Sequence, residues 1–326
     1  MAYETASATS PNDLLDKLRV FALANGWTVD YYGGRTNPGG ALQAGSNNAL
    51  ALNKAGAYFV LYTDTSSPST DDPAPRIQSY MHTGPYVAAS GTDAQANRYT
   101  YTRTNNLGGP YTAYHFFTDS TKTYLHVVVE VVSGRFAHFN LGIFDKAGGG
   151  SNALYCSGMH WNYNYLRINN VISDFHAVPF DCLYFTGIST SGGGTIVRAD
   201  SDGISPRYYR VNNSQPTTEK AYGGARTTAE GFYSYGLVSR TASVQGLTNR
   251  AILAPAVIVA NRLTDARRSI IGTPYDLRWC RLDALEPGEI VTIGSDNWKV
   301  FPVIRKMGAV GIENSSMLGY AYRIIS

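Results

Sequence analysis

The sequence predicts a mainly β protein with α+β character at its N-terminus: a helix packed on an antiparallel sheet, plus a second β-rich unit of sandwich or barrel type. Three observations predict it. The 326 residues include 33 Gly and 24 Tyr, with abundant Thr, Ser and Asn but little Lys or Glu. Tyr and Thr suit pleated, half-buried surfaces, while Gly and Asn suit the turns between strands. Apolar alternation is sustained over 125–143, and helical spacing stands out in one segment near the N-terminus.

That helix is expected over 11–25. Ser10 is a good N-cap, Pro11 is pre-set for the first helical position, and Asp13 completes a capping-box-like spacing. Leu14, Leu15, Leu18, Phe21 and Ala22 fall on one face, and Asn25-Gly26 supplies the stop. A strand over 27–32 follows. Residues 33–48 and 63–75 read as loops from their Gly, Asn, Ser, Asp and Pro content, with a buried strand at 57–62 between them.

Leu125, Val127, Val129 and Val131 share one strand face, and His126, Val128, Glu130 and Val132 share the other. A three-residue hairpin loop, Ser133-Gly134-Arg135, would pair Val131 with Ala137, Val129 with Phe139, Val127 with Leu141 and Leu125 with Ile143. It would also set Glu130 across from His138. A two-residue loop would place Val129 opposite His138 and spoil the apolar match, so the three-residue loop is predicted.

Residues 145–180 are aromatic and Gly-rich with fragmentary alternation. Short strands are expected at 183–185 and 195–198. The stretch 211–230 reads as a linker or an extended loop, and 252–260 as a strand broken or begun at Pro255. Glu286-Pro287-Gly288-Glu289 has Pro and Gly where a type II turn needs them. A hairpin with strands 289–293 and 298–303 is expected across Gly294–Asn297, pairing Val291 and Ile293 with Val300 and Trp298 on the buried face. A strand at 320–325 follows. The expected organisation is an N-terminal helix and antiparallel β domain (1–185), a loop-rich connecting segment (186–250), and C-terminal strands completing a β-rich unit (251–326). The core residues expected to carry it are Leu14, Leu18 and Phe21, then Val127, Val129, Phe139 and Leu141, then Val291, Ile293, Trp298 and Val300.

Charged residues are 16% of the chain and the formal net charge is +3, spread without a dense basic run. Phosphate recognition normally leaves a concentrated basic footprint, so no specific nucleic-acid partner is expected. No apolar run is long enough to cross a bilayer, so no membrane partner is expected either. The polar start lacks a signal-peptide layout, and three widely spaced cysteines, Cys156, Cys182 and Cys280, read as buried thiols of a protein made in a reducing cytosol.

Candidate chemistry is sparse. His126, Glu130 and His138 share a strand face. Residues four apart on a strand, however, lie roughly 13 Å apart at about 3.3 Å per residue, too far for one ion. A partly buried polar stripe between layers is the better reading. Cys156 with His160, and Cys182 with His176, lack the paired-Cys spacing of zinc sites. Asp200-Ser-Asp-Gly203 resembles the start of a calcium loop but lacks its later ligands, and reads as a turn. No phosphate loop, dinucleotide fingerprint, nucleophile elbow or clustered acid pair occurs. No catalytic, cofactor-binding or metal residue is therefore nominated, and no enzyme activity or cofactor is expected. The tyrosines (Tyr31, Tyr32, Tyr99, Tyr101, Tyr111, Tyr114, Tyr163, Tyr165, Tyr208 and Tyr209) recur beside Asn, Thr and Arg. Such surfaces serve protein interfaces and can also stack on sugars.

Three blocks together resemble a group of tailed-bacteriophage virion structural proteins. The first is Asp13-Leu-Leu-Asp-Lys-Leu-Arg-Val-Phe-Ala-Leu-Ala-Asn-Gly-Trp27. The second is His126-Val-Val-Val-Glu130 with Arg135-Phe-Ala-His-Phe139, running into Gly142-Ile-Phe-Asp-Lys-Ala-Gly148. The third comprises Pro274-Tyr-Asp-Leu-Arg278, Pro287-Gly-Glu289, Gly294-Ser-Asp-Asn-Trp-Lys-Val-Phe-Pro302 and Leu318-Gly-Tyr-Ala-Tyr-Arg323. The blocks bracket nearly the whole chain, and 185–245 carries little of the likeness. The resemblance implies a structural component of the neck (collar), tail or baseplate, without cofactor or reaction, located in the virion after assembly in the host cytoplasm. Its implied partners are further copies of itself in a ring and neighbouring virion proteins. The alternatives left open are a tail-tip receptor- or glycan-binding module and, third, a depolymerase-type enzyme.

Overall fold

A computed structural model describes residues 2–34, 47–65, 75–82, 84–86, 101–105, 107–145 and 153–161. It also describes 175–177, 179–180, 194–199, 207–212, 226–231, 253–261, 268–306 and 318–324. The chain runs β1 (Ala2–Ala8), α1 (Pro11–Ala24), β2 (Thr28–Gly34), β3 (Asn48–Lys54), β4 (Ala57–Asp64), β5 (Arg76–His82) and β6 (Tyr101–Thr104). Next come β7 (Tyr111–Thr118), β8 (Tyr124–Val132), β9 (Arg135–Asp145), β10 (Leu154–Gly158), β11 (His160–Trp161), β12 (Phe175–Ala177), β13 (Gly194–Ala199), β14 (Arg207–Asn212) and β15 (Arg226–Gly231). The last are β16 (Ala254–Pro255), β17 (Ile258–Asn261), β18 (Arg268–Pro274), β19 (Leu277–Arg281), β20 (Ile290–Ile293), β21 (Asp296–Pro302) and β22 (Leu318–Ile324). The protein is mainly β, with its helix against antiparallel sheets, as its composition predicts.

Apart from the short β11–β12 pair, the described strands make three layers. A front sheet, β2-β3-β4-β5-β6, lies with α1 over one face of a middle sheet, and a back sheet, β16-β19-β22-β21-β20, covers the other. The middle sheet has ten strands, β1-β7-β8-β9-β10-β13-β14-β15-β17-β18. Its last strand returns to the end of β9 through Thr273↔Asp145 and Pro274↔Phe144. Seven strands from β9 to β18 thus form a closed, barrel-like pairing circuit, which leaves no open edge between them. β13, β14 and β15 all come from the stretch 186–250.

The helix forms for the reasons its sequence gives. Ser10 Oγ accepts from Asp13 N at 3.1 Å, while Asp13 Oδ2 reaches back one residue further than the standard box, to Thr9 N at 2.8 Å. Leu14, Leu15, Leu18, Phe21 and Ala22 are buried against Leu50, Leu52, Phe59 and Leu61 of the front sheet and Phe116, Val127 and Phe139 of the middle sheet. Fully burying each large side chain contributes about 1.5–3 kcal/mol. Behind the middle sheet, Phe117, Val128, Phe136, Phe144 and Tyr155 meet Trp279, Phe301, Leu318, Tyr320 and Tyr322 of the back sheet. Both faces of β8 are therefore dry.

Two predicted registers are corrected. The β8–β9 hairpin turns on two residues, Ser133-Gly134, which closes Val132↔Arg135. A bulge at Val131 then shifts the pairing by one more residue, giving Glu130↔Phe136, Val129↔Ala137, Val127↔Phe139 and Leu125↔Leu141. Apolar still meets apolar, because the bulge removes the mismatch that a two-residue loop would otherwise create. Glu130 is not across from His138, which faces Val128; its Oε1 instead accepts from Gly134 N at 2.7 Å. The last hairpin also has a two-residue loop, Gly294-Ser295, and pairs Val291↔Trp298 and Ile293↔Asp296. Gly294, at φ +62°, makes the tight turn. Asp296 and Asn297, read as loop, enter the strand because β20 is an exposed edge that tolerates polar neighbours. Ile293 is consequently 45% exposed, whereas Trp298 and Val300 are buried and Val291 half-buried.

Other expectations hold. Residues 57–62 lie in β4, 195–198 in β13 and 320–324 in β22. The 252–260 stretch breaks after Pro255 into β16 and β17. Gly288 has φ +83° and Glu289 N bonds Glu286 O at 3.0 Å, as a type II turn requires. The strand expected at 183–185, and the turn at Asp200–Gly203, lie outside the described residues.

Candidate functional site: a buried histidine layer

The most concentrated described chemistry lies between the middle and back sheets. The strand pairings set Phe117, His126, Asn140, Ser157 and Thr195 in one row across β7, β8, β9, β10 and β13. The next row holds His115, Val128 and His138. All point to the back sheet, and His126, Asn140, Ser157 and Thr195 are at most 1% exposed. Burying so many polar groups requires that they bond, since each unmade hydrogen bond costs about 1–3 kcal/mol.

Some of the bonds made join the layers, and others brace the middle sheet itself. His138 Nε2 lies 2.9 Å from Pro302 O and its Nδ1 2.8 Å from Tyr322 Oη. A carbonyl only accepts, so Nε2 carries the proton, and Nδ1 accepts from the tyrosine. His126 Nε2 likewise donates to Tyr275 O at 2.8 Å. His115 Nδ1 meets Tyr3 Oη of β1 at 2.9 Å, and its ring lies 4.6 Å from that of Phe301. Asn140 Nδ2 donates to Ser157 Oγ at 2.9 Å, and Thr195 Oγ1 accepts from Phe180 N at 2.6 Å. The rings of Tyr320 and Tyr322 lie 5.0 and 6.0 Å from His138.

Electrostatics follow from burial. Desolvation, reinforced by the charge of Lys299 and by His138, pulls His115 down to about 3. Desolvation holds His126 and His138 at about 4, against the opposing effect of the hydrogen bonds they donate to the backbone at Tyr275 and at Pro302 and Val303 respectively. All three imidazoles are neutral at pH 7. At the rim, burial would raise Asp276, but its bonds to Lys122 and Arg323 win and hold it below the usual carboxylate range. Lys122 Nζ is 2.8 Å and Arg323 Nη1 3.2 Å from it, and Arg323 also pairs with Asp296. This cluster joins the β7–β8 turn, the β18–β19 turn and β22. The arrangement is a polar seam that fixes one sheet on another.

The residues singled out in the sequence are placed as follows. His126 and His138 are in the seam and Glu130 is at its hairpin end, turned to the backbone. Cys156 and Cys280 are buried, and burial pushes both thiols well up, so neither is a thiolate at neutral pH. Cys182 and the side chains of His160 and His176 lie outside the described residues. Tyr111 and Tyr114 are core residues, donating to Leu107 O at 2.6 Å and Glu4 Oε1 at 2.8 Å. Tyr31 and Tyr32 are half-buried. Tyr31 lies 5.0 Å from Tyr86 on the outer face of the front sheet, beside the Tyr62–Tyr80 pair. Tyr99, Tyr163 and Tyr165 lie outside the described residues, as do the side chains of Tyr101, Tyr208 and Tyr209. Sequence reasoning missed His115 and the covering residues Tyr275, Pro302 and Tyr322. The signal for His115 was weak: a lone imidazole among Tyr114, Phe116 and Phe117.

Comparison with protein-family models and with curated protein sequences finds no match to this chain.

Proposed function

We propose that this chain is a non-enzymatic structural component of a tailed-bacteriophage virion, assembling as a symmetric ring in the neck or in the tail and baseplate. The observation that carries the reading is the use to which its buried polar groups are put. His115, His126 and His138 bond to other strands and turns, and the rim charges pair across the layers. That is the chemistry of a stiff scaffold. The three blocks that resemble virion structural proteins support it further. They coincide with described elements: α1, the β8–β9 hairpin, and the strands and turns of the back sheet. A ring of identical copies needs two different complementary surfaces, since head-to-tail contacts close into cyclic assemblies.

A symmetric reconstruction of the purified native particle, with mass spectrometry of its proteins, tests the assignment. The expected result is a ring of identical copies at the neck, tail or baseplate. Absence of the chain from the particle would sink it. The alternative, a tail-tip receptor- or glycan-binding module, draws on the half-buried Tyr31 at the Tyr31–Tyr86 pair, since tyrosine faces stack on sugars. Selective binding of the purified chain on a glycan array would favour it over the ring.

A further inference from the structure

Three histidines on one face of one sheet, packed under a single covering layer, make that joint respond to protons. We propose that the seam is an acid-releasable joint: on acidification the back sheet detaches from the middle sheet as a unit, while α1 and the front sheet stay folded. The proposal does not rest on the virion assignment.

The geometry gives the reason. His138 has both ring nitrogens engaged by back-sheet groups, Pro302 O and the Tyr322 hydroxyl. A second proton, on Nδ1, would force that hydroxyl to reverse and leave a charge between the rings of Tyr320 and Tyr322. His115 faces Tyr3 from β1, Phe301 and Lys299 from β21, and His138 from β9. Two of these carry or acquire like charge. His126 faces Tyr124 on its own strand, Asn140 from β9, Tyr322 from β22, and Tyr275 and Asp276 from the β18–β19 turn. Asp276, the carboxylate bearing on it, is already bonded to Lys122 and Arg323. A buried charge without a dedicated partner is costly, and detaching the layer returns each imidazole to water.

The sign of the effect follows. Folded, these groups titrate at about 3 to 4; in water they titrate near 6.5. Above pH 6.5 neither state takes the protons, and the joint keeps its full strength. Between about 6.5 and 4 the detached state takes protons that the closed state refuses, so closure weakens as pH falls. Asp276, held below its ordinary value, keeps its ion pairs through that window and gives them up at lower pH, so the two effects separate. A fourth buried histidine, His82, lies outside this joint, on the far side of the front sheet beside Tyr86.

Hydrogen exchange on the full chain from pH 7.5 to 4.5, corrected for intrinsic rates, tests the proposal. Opening of β19, β21 and β22 should rise by up to about tenfold per pH unit for each histidine, about a thousandfold for three, while β3, β4 and β5 stay protected. No opening by pH 4.5, a slope of one proton or fewer, or simultaneous opening of the front sheet would overturn it. His138→Gln keeps a donor for Pro302 O and should lower the slope by one proton with the layer closed at pH 7.5; an unchanged slope counts against the proposal. Should this variant fail to fold, the wild-type slope and the order of opening decide alone.

Discussion

At the residue scale, the layers come close enough in places that side-chain atoms are excluded. Gly158 sits where β10 meets the front sheet: a Cβ there would lie 2.5 Å from Arg103 O and 2.8 Å from Thr104 Oγ1. Met159 N and Asn105 N bond across the same contact. Gly158→Ala should therefore destabilise the protein by about 1–3 kcal/mol, the usual cost of forcing extra volume into a packed site, measured as a lower urea midpoint. A wild-type midpoint would show that the sheets can part there at no cost. Local signals were readable in the sequence at this scale. Ser10, Pro11 and Asp13 announced the helix start because capping depends on neighbours three residues away. His138 could be read as a stripe residue, but Tyr322 lies 184 positions further on, and no local pattern marks such a partner.

At the element scale, buried strands were legible where β-branched and aromatic residues ran together, as in β4 and β8, and illegible where polar residues interrupt the run. Among the strands missed are β1, β3, β5, β7 and β10, and β14 and β15 overlap the stretch read as a linker or loop. In β7, from Tyr114 to Thr118, every residue is buried, so no alternation survives to mark a strand. The faces of β8 were assigned correctly, yet its register was not, because the bulge at Val131 has no signature of its own: Val is at home in a bulge or a ladder. At the last hairpin, Asp296 and Asn297 looked like turn residues and are strand residues on an exposed edge. The corrected register makes a paired prediction. Phe301→Ala, in the core, should cost about 3–5 kcal/mol, while Ile293→Ala, at the solvent edge, should stay within about 0.5 kcal/mol. Thermal melts of the two variants check it; equal losses would restore the buried placement of Ile293.

At the scale of the whole molecule, the middle sheet is held from both sides: in front by apolar contact with hydrogen bonds from Thr102, Thr104 and Asn105, and behind by apolar contact with a seam of buried imidazoles. The rim cluster around Asp276 belongs to the second. Asp276→Asn would leave Lys122 and Arg323 without their shared carboxylate and should cost about 1–3 kcal/mol. Chemical denaturation monitored by the fluorescence of Trp279 and Trp298 reports it, and an unchanged midpoint would demote the cluster to surface decoration. The layered β class was legible from composition and alternation. The stacking order was not, because it depends on pairings between strands far apart in the chain.

The order β19-β22-β21 within the back sheet bears on how the chain is made. β22 is the last of these strands to be synthesised, yet it is the one lying between the other two. A growing polypeptide must emerge past Ile324 before β19 and β21 can be joined, and until then the imidazole-bearing side of the middle layer faces solvent. Nascent chains halted before Leu318 should accordingly stay vulnerable to protease on that side, with the helix and front strands already sheltered.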